Sequence, residues 1–313
     1  MTQRPVIGVG VPVWRGANFV GETLQSVLNQ RDVNLQILVS IDGADEESAR
    51  ACRPFMSDAR VRIFVQPHRI GWAGNSTLVL ARLSEGADFV CVQPHDDWIE
   101  PNYLAALLDA AQSHPDAAVV FSDMIGFGTR EGYVSQDSVT GTQMERQFLL
   151  ITRHYNAIAY RGLMRVSAFS RIPPIPNNRH DNFACDTVWM ARLARNGELI
   201  RVPNALYHKR YHANSTHAEW ARWSPNQKLA AWTSHCVDML SEAFTVARSR
   251  AERSQLTAAA RGRLFLSTVE LGPFVAEIRS MSPVRQWQLR SVFEASAAAR
   301  SVASTFDCAP SWP

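Results

Sequence analysis

Lysine is nearly missing from this chain. Of its 32 basic residues only Lys209 and Lys228 are lysines, and the other thirty are arginines. With a net charge of +3, that imbalance reads as a genome-composition bias and excludes the concentrated basic surface that nucleic acid requires. Cysteine is sparse too. Cys52, Cys91, Cys185, Cys236 and Cys308 are scattered and odd in number, with no C-x-x-C. A disulfide framework and a structural zinc site are therefore excluded, and free thiols are expected. No apolar run reaches the ~18 residues that span a bilayer. Met1 to Pro5 lead straight into a strand-like run without a signal-peptide core. A cytoplasmic protein with no transmembrane segment is expected, peripheral contact with the inner face of the membrane being left open. What is present is a 46% hydrophobic chain of 313 residues. That is enough for a sizeable core in one large α/β domain with an appendage, or in two modest domains.

The first 125 residues alternate between the two periodicities. Val6 to Val13, Leu35 to Ile41, Val61 to Val65, Asp88 to Val92 and Ala117 to Phe121 read as strands. Phe19 to Leu28, the stretch after Asp45-Glu46-Glu47, Gly71 to Leu83, and Pro101 to about Ala111 read as helices. Such alternation predicts a mostly parallel central sheet with right-handed crossovers. Ligands then bind beyond the carboxyl ends of the strands, here at 12–16, 42–45, 67–75 and 94–98. Glycines 126, 128, 132 and 141 predict a hairpin or flexible loop over 126–160, and 172–183 is a Pro/Asn-rich connection. Cys185 to Arg195 reads as a helix stopped by Asn196-Gly197. Strands follow at 199–202 and 205–211, and from about Pro225 the chain is helix-rich to near Ala303. The expected organisation is a domain over 1–220, with halves 1–125 and 126–220, and a helical C-terminal region over 221–313.

The strongest chemical signal is Phe89-Val-Cys-Val-Gln-Pro-His-Asp-Asp-Trp-Ile-Glu-Pro101. A hydrophobic strand delivers two adjacent carboxylates, Asp96 and Asp97, into a loop. Neighbouring carboxylates repel, and a hard divalent cation relieves that repulsion. Read alone, the pair is equally a helix cap beside a solvated Asp.

Further motifs surround it. The opening Val6-Ile-Gly-Val-Gly-Val-Pro-Val-Trp-Arg-Gly-Ala-Asn-Phe-Val-Gly-Glu-Thr-Leu-Gln-Ser-Val-Leu-Asn-Gln30 closely resembles the start of the family 2 glycosyltransferases, with their "ETLxSVLNQ" helix. Ile37 to Glu47 resembles the family's "IVVDDGSxD", His68 to Asn75 its "xxGxxxxxN", and the Asp-Asp segment its D-x-D region. The resemblance covers residues 5 to about 105 well and 180–216 moderately.

It implies a GT-A fold, a Rossmann-like α/β sandwich for nucleotide-diphosphate sugars. It further implies an inverting, metal-dependent transfer of sugar to an acceptor hydroxyl, with Mn2+ or Mg2+ as cofactor and a UDP-sugar as the favoured donor. The setting would be bacterial polysaccharide, glycolipid or glycoconjugate assembly. Carried over by position, Asp96 and Asp97 are metal ligands, Asp96 also facing the nucleotide sugar, and His95 contacts the ribose. Asp42 binds the base, Pro12, Val13 and Trp14 wall its site, and Gly71 and Asn75 line the nucleotide pocket. Asp181 to Gly197 is similar to the family's "EDxxLWxRLxxxG" helix, which makes Asp186 the catalytic base, with Asp181 as its substitute and Arg192 at the expected spacing. Tyr207 to Thr216 looks like "YRxHxxS", which makes His212 a metal ligand and Lys209 or Arg210 a diphosphate partner. Strand alternation puts Lys209 and Tyr211 on one face and His208, Arg210 and His212 on the other.

Several positions depart from the family pattern: Pro94 replaces the first Asp of D-x-D, Ile41 the first Asp of "DDGS", Gly74 an Arg, and Cys185 a Glu. They motivate the alternative of a catalytically silent GT-A domain that binds a sugar nucleotide or a protein. Trp72, Trp98 and Trp189 could stack on a sugar or base or could be core. His68, His95-Asp96 and Asp123 or Asp186 match a metal-phosphohydrolase set superficially, but those ligands sit on helices and His95-Asp96 follows a strand. The loops at 126–142 and 172–183 are candidate lids, and His154 and His180 lie in loops where an acceptor could sit. The C-terminal helices are a candidate homodimer contact.

Overall fold

The computed structural model describes residues 4–153, 157–265, 276 and 278–304. Strand β1 (Val6–Val13) pairs in parallel with β2 (Asn34–Ile41) and β4 (Phe89–Val92), and β2 pairs in parallel with β3 (Val61–Val65). Helices α1 (Val20–Leu28), α2 (Glu46–Cys52) and α3 (Gly71–Ser84) make the crossovers. Covered on both faces, the central strands are continuous apolar runs, and Ile7, Val9, Val11, Val39 and Val90 are fully buried. Helix α3 approaches β1 closely because Gly10 has no side chain; a Cβ there would stand 2.5 Å from Val79 Cγ2. Asp45 caps α2, accepting from the Ser48 N–H and hydroxyl, and also accepts from the Arg15 N–H. The loop after β1 is thus tied to the start of α2, at about 1 kcal/mol for the cap.

Beyond β4 come β5 (Trp98–Ile99), α4 (Tyr103–Ser113), β6 (Ala117–Gly128), β7 (Gly132–Val134), α5 (Gln143–Arg153), β8 (Leu163–Arg165), α6 (Val166–Phe169), α7 (Cys185–Asn196) and β9 (Glu198–Tyr211). The sheet order is β3-β2-β1-β4-β8-β6-β9-β5, with β7 beside β6. The expected parallel arrangement holds for β1 to β4 and for β6 with β9. The sheet as a whole is mixed, because β8 runs antiparallel between β4 and β6, and β5 and β7 are antiparallel edges. Strand β8 is three residues long, too short to carry a readable alternation.

The expected hairpin forms between β6 and β7, but the segment after it is not loose. Helix α5 was hidden because its buried face includes Arg146 and Gln147 beside Leu150 and Ile151, which scrambles the apolar period. The strands expected at 199–202 and 205–211 are one strand, β9, with bulges opposite Ser122 and Asp123. Pro203, which has no N–H for the ladder, sits at that interruption.

The C-terminal region supplies α8 (Thr216–Ala221), α9 (Pro225–Phe244), α10 (Arg250–Leu264) and α11 (Pro283–Ser304). Capping boxes Ser224/Gln227 and Ser249/Glu252 start α9 and α10. Helix α9 packs on α7 and α10 on α5. Arg263 is fully buried; Nη1 donates to the Leu150 and Ile151 carbonyls, and Nη2 meets His235 Nε2 at 2.9 Å. The buried side chains of the sheet and of these helices form one continuous core. Helix α11 turns Val284, Trp287 and Val292 to solvent. Cys52, Cys91, Cys185 and Cys236 are buried free thiols. Cys308 and His154 lie outside the described residues. No described helix is long and apolar enough to cross a membrane.

Candidate active site

The carboxyl ends of β1, β2, β4 and β9 point to the same edge of the sheet, and the side chains singled out in the sequence gather there. Asp96 follows β4, and His212 follows β9. Asp96 Oδ2 lies 3.0 Å from His212 Nε2, a contact that joins residues 116 apart in sequence. Burial pushes the Asp96 carboxyl up, but the His212 hydrogen bond and the charges of His95 and His212 outweigh it and hold the group below its ordinary value. An ionised carboxylate and an imidazole nitrogen, both partly open to solvent, therefore converge.

Asp97 is arranged differently. It is buried, and its oxygens accept from the Tyr207 hydroxyl at 2.7 Å, the Arg210 N–H at 2.8 Å and Arg161 Nε at 3.3 Å. Burial and the neighbouring Asp96 charge raise its pKa, against the pull of Arg161. The carboxylate pair does not open on one side as the sequence suggested, because adjacent residues in this turn point apart, one outward and one into the protein. Thr23 ties α1 to the same loop, its hydroxyl lying 2.8 Å from both the His95 and the Asp97 carbonyls. His95 Nδ1 is 3.2 Å from the Pro12 carbonyl. Its ring packs against Gly16, where a Cβ would come within 2.4 Å of His95 Cδ2. That approach is why the loop after β1 holds a glycine.

At the end of β9 the expected alternation is realised. Lys209 Nζ lies 4.8 Å from the Tyr211 ring centroid on one face. On the other, Arg210 pairs with Glu22 and donates to the Asp96 carbonyl, and His208 bonds Glu100. Lys209 Nζ also meets His217 Nε2 at 3.1 Å.

The nucleotide-side expectations divide. Trp14 is half-buried, with Arg69 at 4.5 Å and Arg15 at 5.2 Å from its ring centroid. Pro12 is half-buried beside it, but the Val13 side chain is fully buried in the core, since strand alternation turns it inward. Only the Val13 backbone is at the site, its carbonyl accepting from the Asp42 N–H at 2.8 Å. Asp42 accepts from the Ile70 and Gly71 N–H groups at 2.7 and 2.9 Å, so it holds the entrance of α3. Gly71 has φ +76 and open space around it. Asn75 is buried, with Nδ2 donating to the Ser40 carbonyl at 2.8 Å. It braces α3 on β2 from beneath the pocket. Of the tryptophans, Trp189 is core, Trp98 stacks on His208 with centroids 3.5 Å apart, and Trp72 is half-buried edge-on to Tyr160.

Asp186 stands in the first turn of α7, half-buried. Burial raises its pKa, and Arg161, the Thr187 N–H and Lys209 offset part of the rise. The chain enters α7 through Asp181, Asn182 and Ala184, all with positive φ, held by Asn178, whose Nδ2 donates to the Phe183 carbonyl at 3.0 Å. Asp181 is exposed. Arg192 faces away, paired with Glu242 at 2.7 Å. The phosphohydrolase set does not assemble. His68 is exposed, Asp123 is bonded at both oxygens to Arg201, and no three His, Cys, Asp or Glu side chains converge among the described residues. Arg161 and Tyr207, which underlie the Asp96–Asp97 turn, carry no local sequence signal; only the fold brings them there.

An α/β sheet with this order, carrying an acidic turn after β4 and a carboxylate-bearing helix after the hairpin, defines a GT-A glycosyltransferase domain. The chain belongs to glycosyl transferase family 2, whose family model matches residues 9–172. Among curated relatives, the glycosyltransferase GlyG of Streptococcus pneumoniae is 26% identical over 128 residues, covering 41% of this chain and 42% of GlyG. The chondroitin synthase of Escherichia coli is 21% identical over 217 residues, covering 68% of this chain and 30% of the synthase. The chain thus spans less than half the length of either. Among solved structures, S. aureus TarS 1-349 in complex with UDP-GlcNAc has a TM-score of 0.62 at 14% identity, over 95% of this chain and 92% of that one. The mannosyltransferase PcManGT from Pyrobaculum calidifontis, in complex with GDP-Man and Mn2+, has a TM-score of 0.56 at 14% identity, over 96% and 88%. These likenesses are of fold.

Proposed function

We propose that the protein is an inverting, metal-dependent glycosyltransferase that moves a sugar from a UDP-sugar to an acceptor hydroxyl. The observation that carries this reading is the meeting of Asp96 and His212 at the carboxyl edge of the sheet, 3.0 Å apart. A carboxylate held ionised and an imidazole would hold Mn2+ or Mg2+ as a two-donor set. Asp97 is left out of that set because both of its oxygens already have donors. When bound, the ion would neutralise charge on the leaving diphosphate.

The chain's own residues account for the rest. Pro12 and Trp14 offer a face for the base, and His95, fixed on the Pro12 carbonyl, reaches toward the ribose. Lys209 sets positive charge beside the diphosphate, where it stabilises the charge that develops as the glycosidic bond breaks; Arg210, the alternative, lies on the opposite face of β9 and is paired with Glu22. Asp186 accepts the proton of the acceptor hydroxyl. Its raised pKa makes it a stronger base than a solvated aspartate. One base and no separate nucleophile give direct displacement, and hence inversion. The hairpin of β6 and β7 and the 172–183 loop, which flank the acceptor side, exclude water from the donor. The neighbouring folds with UDP-GlcNAc and GDP-Man bound support a nucleotide-sugar donor. The homodimer expectation attaches to the outward face of α11, and the membrane-surface expectation to Arg248, Arg250, Arg253 and Arg261 at and along α10, since Arg263 is buried.

The test is Asp186→Asn. It keeps UDP and Mn2+ binding within about twofold and lowers sugar transfer by 10²-fold or more. Unchanged turnover removes the base assignment. Metal-independent nucleotide binding in the parent chain favours the silent module that Pro94 and Cys185 suggested.

A further inference from the structure

The edge of the sheet opposite the transfer site holds a cavity of about 420 Å³ at the amino ends of β6 and β9, within the range of small-molecule sites. Four arginines line it, Arg146, Arg165, Arg171 and Arg195, with Asp116 and Glu198 as the acidic members. Arg195 is engaged by Glu242 at 3.5 Å. The other three meet no carboxylate within 4.0 Å among the described residues.

Their surroundings are built rather than incidental. Arg146 is only 8% exposed. Nε donates to the Ala194 carbonyl at 2.6 Å, Nη2 to that of Arg195 at 3.4 Å, and Nη1 to that of Gly141. Arg165 donates to the Ala117 and Ala111 carbonyls at 3.1 and 2.8 Å. These carbonyls include last-turn groups of α4 and α7, which have no partner within their helices. Each guanidinium is therefore clamped by backbone with N–H groups to spare, since it has five. Arg171 on the rim is exposed, with no polar partner among the described residues. Arg146 is the buried member, and helix-end carbonyls and the charge of Glu198 hold it there as a cation; fixed guanidinium forks with N–H groups to spare fit phosphate oxygens.

We propose that this cavity binds a small phosphate-bearing anion, at a site separate from sugar transfer. Arg146 and Arg165 form its floor and Arg171 its rim, and Asp116 and Glu198 limit the charge it accepts. The site does not depend on the assignment of Asp96 or Asp186.

The test is thermal unfolding of the full chain against inorganic phosphate, with sodium chloride holding ionic strength constant. A saturable rise in Tm is expected in the parent chain and equally in Asp96→Asn. Arg171→Glu, which alters an exposed and unpartnered side chain and so leaves the fold intact, should raise the half-saturating concentration at least tenfold; Arg165→Gln should do the same if it folds. A sugar monophosphate run in parallel identifies the source. Half-saturation tenfold lower than phosphate means an organic phosphate is the ligand, and equal half-saturation means free phosphate is; either supports the site. No saturable rise, an equal rise with chloride alone, a rise unchanged in Arg171→Glu, or a rise lost in Asp96→Asn overturns it.

Discussion

Adjacent aspartates carry opposite duties here. Asp96 is the partly open member, and Asp96→Asn should cost no more than about 1 kcal/mol of stability while removing metal-dependent nucleotide binding. Asp97→Ala leaves Arg161 and the Tyr207 hydroxyl unmet in the interior, and a denaturant melt should show a loss of about 3–5 kcal/mol. If Asp97→Ala instead melts like the parent chain, the buried network is not as described. Asp186 gives a pH prediction. Its folded pKa is raised, by burial first, above the ordinary 3.8, so the folded chain holds its proton to higher pH than the unfolded one does. Its cost to stability therefore builds as pH rises from the unfolded value of 3.8 to the higher folded value, is complete above the folded value, and is absent below 3.8. Asp186→Asn should melt at or above the parent at pH 7, and the acid limb of kcat/KM in the parent should lie above pH 3.8. Asp96, Asp186 and His212 stand out in the sequence because they sit in ordered motifs, and the fold brings Asp96 and His212 together. The inward turn of Asp97 and the presence of Arg161 beneath it were not legible there, since both depend on partners 64 to 113 residues away.

At the scale of elements, the entrance to α7 stores backbone strain beside Asp186, the proposed base. Ala184 adopts φ +52, a left-handed conformation that costs an alanine about 1 kcal/mol. Ala184→Gly should raise stability by about that amount in a denaturant titration; a loss of stability would mean the turn is held by side-chain packing instead. The elements of the first half were readable because buried parallel strands and amphipathic helices each keep one period. Helix α5 was not, because Arg146 and Gln147 occupy its buried face. Strand β9 read as two pieces because Pro203 interrupts the ladder, yet the alternation of Lys209, Arg210, Tyr211 and His212 was right. Val13 shows the same alternation acting against a motif-based expectation, since a position at the end of a strand faces the core as readily as the ligand.

Across the whole molecule, the helices after β9 share one core with the sheet. Arg263 of α10 is satisfied by carbonyls of α5, and Arg192 of α7 by Glu242 of α9. A chain ended after residue 224 would expose the apolar faces of α5 and α7, and it should aggregate or show no cooperative melt. A sharp melt in that truncated chain would make the C-terminal helices an independent unit. The central claim is that Asp96 and His212 would hold a divalent ion, which would supply charge for a nucleoside diphosphate at the carboxyl edge of the sheet. Isothermal titration of UDP into the full chain with and without Mn2+ measures this directly. Binding should appear with Mn2+, weaken at least tenfold without it, and disappear in Asp96→Asn; UDP binding that ignores both the metal and Asp96 would contradict it.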